Sequence, residues 1–215
     1  MPREVTSLVY KFEELEPKAK EKARQWWRDC EAQDFMRGYP NFVHDEFETI
    51  AKILGVEFDQ QRIIPMGGEK HARMEPKIWW GLHVQGSGAS FDGCYSYAKG
   101  CVKKMKAYAP EDKVLHAIAT DLYDAQRING YRLTARVRSG RRGCASYNAD
   151  IEVERSDGLQ GLIREDVDRA LRAFMDWMYK YIDAEWDNTM SGENVDESIK
   201  INEYEFEEDG SRACV

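Results

Sequence analysis

The stretch Ile78–Tyr97, IWWGLHVQGSGASFDGCYSY, decides the fold class, because its side chains pair with one another in one sensible register. Folded about Ser87–Gly88, it sets Val84 against Phe91, Leu82 against Gly93, Trp80 against Tyr95 and Ile78 against Tyr97. The other face sets His83 against Asp92, Gly81 against Cys94 and Trp79 against Ser96. Strand side chains alternate with period two, so a slip of one residue would mix an aromatic face with a polar one. The stretch reads as a β-hairpin with one buried aromatic face.

A second hairpin follows the same logic. Placing Arg138 opposite Cys144 sets Val137 on Ala145, Ala135 on Tyr147, Leu133 on Ala149 and Tyr131 on Ile151. Arg136 then faces Ser146, and Arg132 faces Asp150. Helical spacing surrounds the hairpins. Pro17 suits a first helical turn, and Ala19, Ala23, Trp26, Trp27 and Cys30 follow it. Val43, Phe47, Ile50, Ala51 and Leu54 form the clearest amphipathic stripe, with Gly55 as its stop. Val114, Ile118, Leu122 and Ala125 mark a third helix. Val167, Leu171, Phe174, Met178 and Ile182 mark a long one from about 161 to 186. Short end strands are expected within 7–12 and 199–206. The reading is a single α+β domain over 1–215, with a largely antiparallel sheet from two β-hairpins flanked by about four helices.

The 215 residues are 42% hydrophobic and 33% charged, which excludes a disordered chain. No apolar run reaches the roughly 18 residues of a membrane span, and the first residues hold no signal-peptide core, so a cytoplasmic protein is expected. The five cysteines lack CxxC spacing and read as free thiols. Net charge is −8, and the acidic segment 193–209 alone holds eight acids and one lysine. Two basic runs stand against it. One is Lys99, Lys103, Lys104 and Lys106; the other is Arg132, Arg136, Arg138, Arg141 and Arg142.

Several groups invite a chemical reading. His83 facing Asp92 resembles an oriented general base, although no nucleophile is placed beside it. His44 and Glu48 lie one helical turn apart, but two ligands do not make a metal site, and a solvated helix face is expected there. The glycines of Gln85–Ser90 lie between two strands, unlike those of a P-loop, so they read as turn residues. No cofactor or metal is expected. The arginine run could bind phosphates, with Trp79 available for stacking. Glu203, Glu205, Glu207, Glu208 and Asp209 could instead meet a basic partner.

Four segments together resemble a family of phage and mobile-element proteins, many labelled "antitoxin of a toxin–antitoxin stability system". They are Tyr10-x-Phe12-x-Glu14-Leu15 with Ala19-Lys20 and Ala23; Phe47-x-x-Ile50 with Leu54-Gly55-Val56; Gln85-Gly86-Ser87-Gly88-Ala89-x-Phe91-x-Gly93; and Asn202-Glu203-Tyr204-Glu205-Phe206 with Asp209-Gly210. In that family the central motif commonly reads Ser-Gln-Gly-Asp-Gly-Ala; here Val84 and Ser87 replace its Ser and Asp. The resemblance implies a phage- or plasmid-type accessory protein that neutralises a toxin or a host defence effector such as a CRISPR nuclease.

The leading reading is a non-enzymatic, anti-defence inhibitor that binds a nucleic-acid-handling protein with a basic surface, using the acidic residues just named. The alternative is a nucleotide or single-stranded nucleic-acid binder using the arginine hairpin. An enzyme built on His83 and Asp92 ranks third.

Overall fold

A computed structural model of the chain describes residues 8–38, 40–65, 68–82, 85–140, 143–158 and 165–213. In chain order the elements are β1 (Tyr10–Lys11), α1 (Pro17–Gly38), α2 (Pro40–Leu54), β2 (Val56–Phe58), β3 (Gln60–Ile63), β4 (Arg73–Pro76), β5 (Ile78–Gly81), β6 (Gly88–Phe91), β7 (Gly93–Ser96) and α3 (Cys101–Tyr108). They continue with α4 (Lys113–Ile128), β8 (Leu133–Arg138), β9 (Asp150–Arg155), α5 (Glu165–Met190), α6 (Gly192–Ile201) and β10 (Glu205–Phe206). Every strand pair is antiparallel, so the α+β class expected from the two hairpins holds. The chain divides into two compact units, 1–40 with 184–215, and 41–183.

The second unit is built on a four-stranded sheet in the order β2-β7-β8-β9. The α2 stripe Val43, Phe47, Ile50, Ala51 and Leu54 is wholly buried, as its spacing predicts. In α4 the stripe starts at Leu115 instead of Val114, which is exposed. In the core the Phe91 ring meets those of Phe58 and Phe174 edge-on, with centroids 5.0 and 6.0 Å apart. One carboxylate joins two helices. Asp112 Oδ1 caps α4 by accepting from the N–H of Val114 and Leu115, both at 2.9 Å, and Oδ2 accepts from Trp177 Nε1 on α5 at 2.7 Å.

Both hairpin registers differ from expectation, and by the same amount. Ile78 pairs with Phe91 instead of Tyr97, and Arg138 pairs with Asp150 instead of Cys144, a slip of six residues each time. A slip of six is even, so it leaves every side chain on its own face, and alternation cannot detect it. Two local causes set the true registers. At Asp92 the chain leaves β5: the Asp92 N–H still donates to Lys77 O at 3.0 Å, but Gly93–Ser96 joins β2 and β8. A Cβ at Gly93 would stand 2.4 Å from Glu57 O, so this crossing requires glycine. In the second hairpin a 3-10 turn at Ser146–Asn148 takes up residues expected in the strand.

Two helices lie where none was expected. The run from Lys99 to Lys106 contains α3, whose buried residues are Cys101 and Met105. The acidic segment contains α6, capped by Ser191 and buried at Val195 and Ile199. The long helix ends at Met190, four residues beyond expectation.

Candidate functional site

The first unit packs α1 against α6 through Phe12, Leu15, Ala23, Trp27, Val195 and Phe206. Pairing of β1 with β10 sets Tyr10 opposite Phe206 and Lys11 opposite Glu205. Beyond β10 the chain lies directly on α1. A Cβ at Gly210, whose φ is +84°, would stand 2.1 Å from Ala19 O, so only glycine allows the approach. Side chains fasten the same segment. Lys22 Nζ donates to Asp209 Oδ2 and Ser211 Oγ, each at 2.7 Å, while Arg24 ties α1 to α6 by holding Asp196 through two bonds of 2.6 and 2.8 Å. Arg212 lies over the Tyr204 ring, 4.9 Å from its centroid, and Tyr204 meets Trp26 edge-on at 5.1 Å. The acidic C-terminal segment is therefore an ordered part of the fold.

This anchoring sorts the expected partner-binding carboxylates. Asp209 is held by Lys22, whose ammonium, with the Ser211 N–H and hydroxyl, draws its carboxyl down to about 2. Glu205 is half-buried in β10. Glu203, Glu207 and Glu208 are exposed and make no side-chain bond among the described residues. Glu203 also has a φ of +52°, the left-handed region that side chains other than those of Gly and Asn rarely occupy. Its place just past the end of α6 is fixed by donation from Glu203 N–H to Lys200 O at 3.0 Å and from Tyr204 N–H to Ile199 O at 3.3 Å.

Within the same unit lies a polar recess of about 500 Å³ lined by Trp27, Glu31, Asn188, Asn194, Ser198 and Tyr204. Burial, reinforced by the nearby Asp34 carboxylate, pushes the Glu31 carboxyl up. No hydrogen bond or ion pair engages Glu31 among the described residues. A carboxylate with aromatic walls suits an alkylammonium or guanidinium group. Sequence reading missed this recess, because its residues are scattered over α1, α5, α6 and the stretch before β10; Trp27 and Tyr204 were its only visible signals.

The arginine face of the second unit is differently disposed. Arg136 on β8 grips Asp59 with both terminal nitrogens, one bond being 3.0 Å, and donates to Cys94 Sγ at 3.1 Å. Arg138 meets Glu152 at 3.1 Å and Asp150 at 3.8 Å, and Arg132 meets Asp157 at 2.8 Å. All three are thus paired with carboxylates. Arg141 and Arg142 lie outside the described residues. Trp79, 39% exposed, stands opposite Ser90 on another strand pair.

Of the expected acid–base pair, only Asp92 lies among the described residues. Asp92 stands opposite Lys77, its Oδ1 accepts from the Ser139 N–H at 2.7 Å, and Lys77 Nζ is 3.9 Å from Oδ2. His83 lies outside the described residues. His44 is buried instead of solvated, and burial lowers its pKa. Among the described residues no group of three His, Cys, Asp or Glu side chains could hold a metal ion. No described helix is long and apolar enough to cross a membrane.

Residues 39–192 match the family described as Domain of unknown function (DUF8835). The chain belongs to this family. No curated protein and no solved structure matches it. The DUF8835 match takes in the whole second unit but only residues 39–40 and 184–192 of the first. The exposed carboxylates Glu203, Glu207 and Glu208 therefore lie beyond the DUF8835 match, and the paired arginines lie inside it.

Proposed function

We propose that the protein is a phage- or plasmid-type accessory protein that binds and inhibits a nucleic-acid-handling protein through the acidic and aromatic surface of its first unit. The observation that carries this reading is the state of Glu203, Glu207 and Glu208, which are unpaired carboxylates on a segment fastened to α1 by Gly210, Lys22 and Arg212. Carboxylates held in place before binding lose little conformational freedom on association, unlike those of a frayed tail. They attract a surface evolved for phosphates, speed the encounter and occupy the groove that nucleic acid would take. The recess at Trp27, Glu31 and Tyr204 suits an arginine or lysine of that partner as an anchor. A toxin and a defence nuclease both fit this chemistry.

The test is capture from a host lysate followed by mass spectrometry. The expected result is a stoichiometric nuclease or toxin that a nucleic-acid competitor displaces. Reversing Glu203, Glu207 and Glu208 to Lys is expected to abolish capture while the circular dichroism spectrum and melting temperature stay in place. Capture that survives the triple reversal defeats the acidic-surface reading.

A further inference from the structure

The second unit contains cations that its carboxylates do not neutralise. Lys103, Lys104 and Lys106 lie on α3 and Lys99 lies just before it; all four are exposed and none enters an ion pair among the described residues. The helix itself carries no acidic residue. These lysines begin two residues after Tyr97, at a Cα separation of at most about 7 Å.

Tyr97 belongs to an aromatic cluster at the end of the four-stranded sheet. Its ring centroid is 4.5 Å from that of Tyr131, which is 6.2 Å from that of Tyr123 on α4. A hydrogen bond to Tyr123 raises the phenol pKa of Tyr131. Tyr131 is 41% exposed. It was expected in a strand opposite Ile151, but β8 starts only at Leu133, and Tyr131 occupies the turn with a φ of +61°. Positive φ in a bulky residue is strained and persists where the surroundings impose it. Buried Gln126 imposes it here. Its side chain donates to Leu133 O at 2.7 Å and accepts from Leu133 N–H at 3.1 Å, while its backbone O accepts from Tyr131 N–H at 2.7 Å. The strain presents an aromatic ring where the fold would accept a glycine.

We propose that the Tyr97, Tyr123 and Tyr131 cluster and the free lysines of Lys99–Lys106 form a contact surface for single-stranded nucleic acid. Stacking on aromatic rings accepts any base, and ammonium groups beside the rings track the phosphates. A duplex keeps its bases stacked internally and offers the rings nothing, so the surface selects the single strand. Placement on the tyrosine–lysine patch also distinguishes this site from the arginine face, where Arg132, Arg136 and Arg138 are already paired. The inference concerns the second unit and does not depend on the reading of the first.

The experiment is fluorescence anisotropy of the full chain with a labelled oligo(dT) of about 15 nucleotides, and with a duplex of the same length, at two salt concentrations. Saturable binding that prefers the single strand is expected. Tyr131→Gly, which suits the positive φ and keeps the turn, is expected to weaken binding about 5- to 150-fold without changing the salt slope. Tyr97→Leu, which retains an apolar side chain, is expected to act in the same direction. Lys103→Gln with Lys104→Gln is expected to reduce the log–log salt slope by about 1.4, at about 0.7 per phosphate contact. Absence of binding at about 50 mM salt, equal affinity for the duplex, or an unchanged affinity in Tyr131→Gly would each overturn the proposal.

Discussion

The two units differ in how their charge is used more than in how much they carry. The first holds 10 Lys and Arg against 18 Asp and Glu, so the entire −8 resides there; the second holds 21 of each. In the first, Lys22, Arg24 and Arg28 are engaged by carboxylates, and the surplus acids stand free. In the second, the arginines of β8 are engaged and the lysines of α3 stand free. Exposed ion pairs of this kind add little stability, yet they decide which charges remain for a partner. A count of charges along a segment therefore misleads where availability is what matters. Among the described residues each unit also holds one bulky residue at positive φ just beyond a helix, Glu203 after α6 and Tyr131 after α4, and each lies within a proposed contact surface.

The sharpest way to break this comparison is to unfold one unit alone. Phe206 is fully buried among Phe12, Val195 and Ile199, and its ring meets Trp26 at 5.8 Å. Phe206→Ala is expected to cost about 3–5 kcal/mol. Amide hydrogen exchange should then show lost protection in α1 and α6 while α4 keeps its own. Equal loss in α4 would mean that the units unfold together, and the division would have no energetic content.

A smaller effect probes the second unit. Gln126 is fully buried, and its amide satisfies both backbone groups of Leu133. Gln126→Leu keeps the volume but leaves that N–H and C=O without partners, at about 1–3 kcal/mol in urea unfolding. It also releases the turn that holds Tyr131, so the Tyr97–Tyr131 contact should loosen, which ring-proton NMR shifts would report. A neutral outcome in both measurements would remove Gln126 as the clamp of that turn.

What could be read in the sequence follows from the length of each signal. The α2 and α5 stripes repeat over several turns and are recognisable, whereas α3 and α6 each bury only two residues, too few for a period. The hairpins were recognisable as antiparallel pairs, but their registers were not, since an even slip preserves both faces. Site residues were the least accessible of all. Whether Arg136 is free depends on Asp59, 77 residues away, and whether Asp209 is free depends on Lys22, 187 residues away. Nothing local to either residue signals its pairing.

The smallest effect separates stability from function at one residue. Glu203 occupies the position after the cap of α6 where glycine relieves the left-handed strain, at about 1 kcal/mol per non-glycine residue. Glu203→Gly should therefore stabilise the first unit by about that amount, seen as a small rise in the urea midpoint. The same substitution removes one of three free carboxylates, so affinity for a captured basic partner should fall even as the fold gains. Glu203→Ala separates the two contributions, since it removes the charge and retains the strain. If the glycine variant gains stability and holds its partner as tightly as before, the strain at Glu203 has no part in presenting charge, and the contact surface shrinks to Glu207 and Glu208. If affinity falls equally in the glycine and alanine variants, the carboxylate itself makes the contact, and the left-handed turn serves to present it.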